Sequence, residues 1–283
     1  MIELDAATVL LQWATGGWVF LWVTTRRREV GLGYGWLMRG VFLVMVVGAL
    51  AIAARFGRVS GRDELAVVMA LVGTATLAVS IRRRAAGVAG QRQRVARRSA
   101  RVAAMTGIDR DEQHFDEDAV EFEPVMDLIT AAIGLAALVP AGIDAGDPAA
   151  LAVARTLVGA LFLGAVSDAM LLGHWYLVQP GLARGPLLEL VRWTAAVWPF
   201  ELLVMLWPVG MVSVLNGTID DGYGGLLGWF WLASAVATIL LLGVTRAALR
   251  EREYSAVMAA TGLLYLAILT AFGMDLVARA TLA

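Results

Sequence analysis

The sequence predicts an all-α integral membrane protein, a bundle of about eight transmembrane helices with both termini outside. Three observations carry this. First, apolar residues make up 59% of the chain and charged residues 17%, against about 45–50% and about 25% in soluble domains; the mean hydropathy is +0.73. Second, the apolar residues gather in runs of about 18 or more, the length a helix needs to cross a hydrocarbon layer of about 30 Å. Third, the arginines alternate between the ends of successive runs.

The runs give the elements in order. The first covers 7–25 and stops at Arg26, Arg27 and Arg28. The second covers 36–54 and ends before Arg55. The third covers 65–81 and ends at Arg82, Arg83 and Arg84. A polar loop over 82–123 follows. The fourth span covers 124–143, closed by Pro140 and Gly142, and the fifth 149–178, closed by Gln179, Pro180 and Gly181. The sixth covers 186–215. The seventh, opened by Gly222, Gly224 and Gly225, covers 226–249, and the eighth covers 254–282. All belong to one transmembrane domain, 1–283, and no internal repeat is evident.

Cytoplasmic loops collect Lys and Arg. With the amino terminus outside, the loops after the first, third, fifth and seventh spans are cytoplasmic and hold most of the arginines outside the spans. The outer segments hold only Arg55, Arg58, Arg62 and Arg279, together with Asp144, Asp147, Asp220 and Asp221. The acidic segment Met1 to Asp5 lacks the basic start of a secretory signal, so the first run is expected to stay as a helix. The expected location is the cytoplasmic (inner) membrane of a bacterium.

Other classes are excluded by composition. The net charge is −1, which favours no particular partner. There is no cysteine, so disulfides, thiolate metal sites and Cys nucleophiles are absent. All 23 basic residues are arginine, as in a GC-rich genome. No phosphate-binding glycine loop, HExxH or G-x-S-x-G occurs, and nothing points to nucleic acid, because the basic runs are accounted for by topology.

The 82–123 loop is polarised. Residues 82–101 are basic and Ala-rich, suited to a helix on the membrane surface; 109–123 are acidic. The reading is a solvated loop whose arginines fix topology and whose acids balance them. The alternative is a docking surface for other membrane or cytoplasmic subunits. A calcium loop counted from Asp109 would need Gly and Glu at positions 6 and 12, where His114 and Val120 stand.

Ionisable groups inside spans are costly and mark functional candidates. Arg39 and Asp127 lie near the cytoplasmic starts of their spans and read as interfacial. Arg155 and Asp275, near the outer face, are expected to form a structural pair. His174, Glu189 and Arg192 share one depth in the cytoplasmic third, either side of the turn between the fifth and sixth spans. Asp168 lies near mid-membrane and Glu201 further out. Thr156, Ala160 and Gly164 precede Asp168 at i+4 steps, the small-residue spacing of a close helix contact, so Asp168 should face the bundle interior. Glu201 and Arg192 could share a pocket only if Pro199 kinked the helix.

These residues support three functions. The first is a membrane subunit of a redox or energy-converting assembly, with a quinone-like or haem-like site built from His174, Asp168, Arg192 and Glu189 and walled by Trp175, Tyr176 and Trp193. His174 is the only histidine in a span, so a haem would need a second ligand of another kind. The second is a proton- or ion-coupled transporter using Asp168 and Glu201 as a proton relay. The third is a scaffold or accessory subunit in which the buried charges serve structure alone. Nothing in the sequence establishes an enzyme.

Overall fold

The computed structural model describes residues 5–106, 115–116, 118–179 and 181–282. Among them the regular elements are all helical: α1 (Ala6–Thr25), α2 (Leu32–Phe56), α3 (Arg62–Arg82), α4 (Ala89–Thr106), α5 (Val125–Ala145), α6 (Ala149–Val178), α7 (Gly185–Leu206), α8 (Gly210–Leu215), α9 (Leu226–Ala248) and α10 (Tyr254–Thr281), with a 3-10 turn (Arg83–Ala86) after α3. Seven of them, α1, α2, α3, α5, α6, α9 and α10, are long and apolar enough to cross a membrane. α7 has the length, 22 residues, but carries Glu189, Arg192 and Glu201 and falls outside that set.

Two boundaries differ from the sequence expectation, both at prolines. The sixth predicted span, 186–215, is two helices. α7 stops at Leu206, and Trp207 is extended (φ −86°, ψ 143°), as a residue before proline prefers. Pro208 cannot donate the next helical hydrogen bond, and the short α8 resumes at Gly210. The opposite error concerns Pro140 and Gly142, expected to close a helix: α5 runs through both to Ala145. A proline frees only one helical carbonyl, and neighbouring helices hold the element together on either side. Pro199 is likewise accommodated inside α7.

The centre of the bundle is the crossing of α1 and α6. α1 packs against α2, α5, α6 and α7, and α6 against α1, α5, α7 and α10. Small residues permit this. A Cβ added to Gly16 would lie 1.8 Å from the carbonyl oxygen of Ala160, and one added to Gly164 would lie 2.1 Å from the carbonyl carbon of Gly16. Main chain therefore meets main chain. The side chains facing away from this centre are apolar: Val44 on α2 is 72% exposed and Leu269 on α10 69%. Polar groups inside and apolar groups outside are the arrangement a lipid surround requires.

At one end of the bundle lie both ends of the described chain. There Asp5 caps α1 by accepting from the N–H groups of Ala7 (3.1 Å) and Thr8 (3.2 Å). Arg62, buried at the start of α3, pairs with Asp5 and Asp63 and donates to the Thr8 hydroxyl (3.0 Å) and the Gly57 carbonyl (3.2 Å). At the opposite, arginine-rich end, Glu121 accepts from Arg28 at 2.7 Å and from Arg92 at 2.5 Å, and Glu123 from Arg28 at 3.1 Å. These carboxylates tie α4 to the α1–α2 turn. The basic stretch includes a helix over Ala89–Thr106, of whose arginines Arg92 pairs with an acid of the same loop, Glu121. Residues 109–114, where the acidic and His114 readings fell, lie outside the described residues.

Before α9, the carboxylate of Asp221 accepts from the N–H groups of Tyr223 (2.9 Å), Gly225 (2.8 Å) and Leu227 (2.8 Å). Gly225 takes a left-handed conformation (φ 86°) that glycine adopts without strain. Hydrogen bonds to the charged form, that from Gly225 foremost, hold the Asp221 carboxyl below its ordinary range. A depressed pKa contributes stability above the unfolded value and loses it as pH falls through the folded value. Exchange protection of the Gly225 and Leu227 amides, corrected for intrinsic rates, is therefore expected to persist at neutral pH and to fade below the ordinary aspartate range. Asp221→Ala should remove it at every pH; equal protection in that variant would rule the cap out.

Candidate functional site

Seven of the nine buried charged side chains among the described residues fall in three groups along the bundle's interior. The first is at the end bearing the termini. In α10, Asp275 accepts from Arg279 one turn later, Nε to Oδ1 3.0 Å and Nε to Oδ2 2.9 Å. Nη2 of Arg279 also reaches the main-chain oxygen of Arg155 in α6 (3.2 Å). The Arg155 side chain turns to the broken α7–α8 junction instead. Its Nε donates to the carbonyl of Val204 and its Nη2 to that of Trp207, both at 2.8 Å. The first of these has a simple cause. In an unbroken helix the Val204 carbonyl would accept from residue 208, which is proline and has no N–H. A guanidinium supplies the missing donor.

The expected Arg155–Asp275 pair is therefore not a direct one. Asp275 pairs with Arg279, and Arg155 joins the group through its backbone. An i,i+4 Asp–Arg spacing in the eighth span was the signal for this; assigning Arg279 to the outer segment hid it.

Glu201 of α7 faces the same group. It is fully buried, lies within the field of Asp275, Arg279 and Arg155, and neither carboxylate oxygen has a hydrogen-bond partner among the described residues. Gln12 of α1 lies close to Asp275 and Arg279 across Gly159, also fully buried and with both amide atoms unpartnered among the described residues. Gly159 of α6 makes the room. A Cβ there would fall 2.4 Å from Gln12 Nε2, 2.7 Å from Arg279 Nη2 and 2.9 Å from Asp275 Oδ1. The residue has to be glycine for these three groups to converge.

The second group lies further along α6. Asp168 is thirteen residues beyond Arg155, about 20 Å along a helix axis. It is fully buried, as the small-residue spacing predicted. Tyr34 of α2 is its polar neighbour, yet neither the carboxylate nor the Tyr34 hydroxyl makes a well-formed hydrogen bond. Next to it, Ser167 accepts from the Trp13 indole at 2.8 Å.

The third group is nearer the arginine-rich end. Arg39 and Asp127 form a two-pronged pair, Nε to Oδ1 and Nη2 to Oδ2 both 2.7 Å. Arg39 also donates to Ser80 (3.0 Å), which accepts from the Trp36 indole (3.1 Å); Thr25 donates to Asp127 (3.3 Å). The guanidinium lies 4.3 Å from the Phe122 ring centre. The two residues are 1% and 0% exposed, so protein encloses the pair expected near the interface. Asp127 is the third residue of α5 and Arg39 the eighth of α2, and other helices and Phe122 cover them.

The residues assembled for a quinone-like or haem-like site do not meet. His174 is exposed, its Nδ1 2.9 Å from the Tyr265 hydroxyl on the outside of α10. Arg192 is exposed as well. Glu189 faces α1, paired with Arg26 and, at 3.2 Å, with Arg27. Tyr176 donates to the Ala183 carbonyl (2.6 Å), and Trp193 lies edge-on to Phe20 with ring centres 6.2 Å apart. Trp175 donates to Gln179 (3.1 Å) and stands edge-on to Tyr34, centres 5.9 Å apart. Through Tyr34 it keeps an indirect link to Asp168. Glu201 and Arg192 share no pocket, since one is buried and the other exposed. Equal depth in two adjacent helices does not set the direction each side chain takes, and the helical phase here separates them.

Among the described residues no group of three or more His, Asp or Glu side chains could hold a metal ion. The fold and these polar groups define a multi-pass helical membrane protein. No protein-family model matches the chain, and no curated protein or solved structure shows significant similarity to it.

Proposed function

We propose that the protein is a proton-coupled membrane transporter in which Glu201 and Asp168 carry the proton. In this reading eight helices span a bacterial inner membrane and both termini are outside. α7 is the eighth span: of its three charges Glu201 faces inward, Glu189 is neutralised by Arg26, and Arg192 sits near the arginine-rich, cytoplasmic end, where a long side chain can reach the interface.

The observation that carries the reading is the pair of fully buried carboxyls, Asp168 and Glu201, that make no well-formed hydrogen bond with any described residue. A carboxyl locked in no ion pair can exchange its proton without first giving up a partner, at the desolvation cost of forming a buried carboxylate. Paired structural charges, such as Arg39 and Asp127, cannot. Glu201 also sits between two arginines and a second carboxylate, so a change in its charge is felt by Arg155, which stabilises the α7–α8 break. Discontinuous helices at a buried site are a recurring device of transporters.

A subunit of a redox or energy-converting assembly is the second reading. It would use the same two buried carboxyls, without His174, which faces outward with Tyr265. A scaffold needs no proton movement at all.

The test is proton flux in proteoliposomes holding a pH-sensitive dye, driven by an imposed potassium diffusion potential. Wild-type protein should acidify or alkalinise the lumen faster than protein-free vesicles. Glu201→Gln and Asp168→Asn, which keep shape and remove the titratable proton, should fall to the protein-free rate, and His174→Ala should match wild type. Wild-type flux in both carboxyl variants, or none in the wild type, would end the proposal.

A further inference from the structure

A groove of about 400 Å³ opens at the arginine-rich end, between the start of α2, the start of α4 and the end of α6. Its size falls within the range of small-ligand sites, about 300–1,000 Å³. Trp36, Phe115 and Trp175 form its walls, and Arg84, Gln91 and Gln179 supply polar side chains; no carboxylate lines it.

The polar lining is rich in donors, and each of its two amide oxygens already accepts one hydrogen bond. Gln179 Oε1 accepts from the Trp175 indole (3.1 Å), and Gln91 Oε1 accepts from the Leu32 main chain (3.4 Å). An indole and a backbone N–H can only donate, so both amides must present oxygen to these partners and turn NH₂ the other way. Arg84 makes no ion pair with any described residue. Gly31 and Gly33 leave the first turn of α2 open to the groove, with ordinary contact distances of 3.5–3.6 Å to Gln91 and the Trp175 ring even for an added Cβ. That turn is the positive end of a 25-residue helix, which favours an anion.

We propose that this groove binds the phosphate headgroup of an anionic membrane lipid. One cation, two amide NH₂ groups and a helix start match phosphate oxygens, which only accept. The lipid source is favoured by the residues that adjoin the lining ones: Leu37 beside Trp36, Ile81 near Arg84 and Val178 beside Gln179 are 52%, 41% and 65% exposed. Each is an exposed apolar side chain one to three residues from a lining residue, where acyl chains of a lipid held by its headgroup would lie. The site does not depend on the proton relay, which lies inside the bundle.

The experiment is native mass spectrometry of the full-length protein titrated with dioleoylphosphatidylglycerol, with dioleoylphosphatidylcholine as the uncharged comparison. One phosphatidylglycerol should be retained in preference to phosphatidylcholine. Arg84→Gln, an exposed change that leaves the fold alone, should weaken that preference about fivefold. Gly33→Leu, which fills the groove toward Trp175, should abolish it, while Arg82→Gln should leave it intact. Equal retention of the two lipids, or wild-type retention in both Arg84→Gln and Gly33→Leu, overturns the proposal. Displacement of the lipid by millimolar sodium phosphate keeps the donor set and overturns the lipid source.

Discussion

Arg39→Met destabilises the folded protein by about 3–5 kcal/mol, the loss that follows when one partner of a buried ion pair is removed. The expectation comes from enclosure. Asp127 is fully buried, takes both prongs of Arg39 at 2.7 Å, and has only a Thr25 hydroxyl at 3.3 Å besides. Without the guanidinium its charge stays in a low-dielectric interior with no counter-charge. Asp127→Leu strands Arg39 in the same way. The double variant Arg39→Met, Asp127→Leu should recover most of the loss, because two apolar side chains of similar volume replace a pair that was costly to desolvate. Denaturant titration in detergent micelles, followed by helical circular dichroism, measures all three. If the double variant is as unstable as the sum of the singles, the pair is not the source of the effect.

The second large effect is expected where α1 crosses α6. Gly164→Ala should cost about 1–3 kcal/mol or more, although alanine is the better helix former by about 1 kcal/mol. The added methyl would sit 2.1 Å from the backbone of Gly16, and backbone cannot swing aside as a side chain can. Either the helices separate, opening a gap along the bundle axis, or the crossing angle changes and the polar groups on both helices lose register. Gly243→Ala in α9 is the matched control. Nothing lies within 4 Å of a Cβ there, so this change should be neutral or slightly stabilising. Thermal unfolding of the two variants side by side separates packing from propensity, and similar midpoints would refute the contact.

Much of the architecture was legible because hydropathy and charge act over whole helices. The fifth predicted span, 149–178, coincides with α6, and the small-residue steps leading to Asp168 did place that carboxyl inside. The misses have local causes. Pro140 and Gly142 were read as closing a span at 143, where packing carries the helix on to Ala145, and Pro208 only as a hint of interruption inside one span, where it does break the helix. The difference lies in what replaces the lost donor: at 208 the Arg155 guanidinium does so from another helix, fifty-three residues earlier. Arg39 and Asp127 were both singled out but not recognised as partners, since their eighty-eight-residue separation carries no sequence signal. Glu201 was found, whereas Gln12 was not. A lone glutamine in the first span looks like an ordinary polar residue until Asp275 and Arg279 are found beside it across Gly159.

The position of α1 has a consequence for how the protein is made. α1 is made before every other described helix yet ends up in the middle, two-thirds buried along its most apolar stretch, and its mean hydropathy of 1.3 is the lowest of the seven candidate spans. Its principal neighbour, around Ala160, is translated roughly 7–30 s later at typical rates of synthesis. Throughout that interval the nascent segment exposes Gln12 and its flat glycine face with nothing to cover them. Biogenesis must therefore keep an early, weakly lipophilic helix waiting at the insertion machinery until its much later mate arrives.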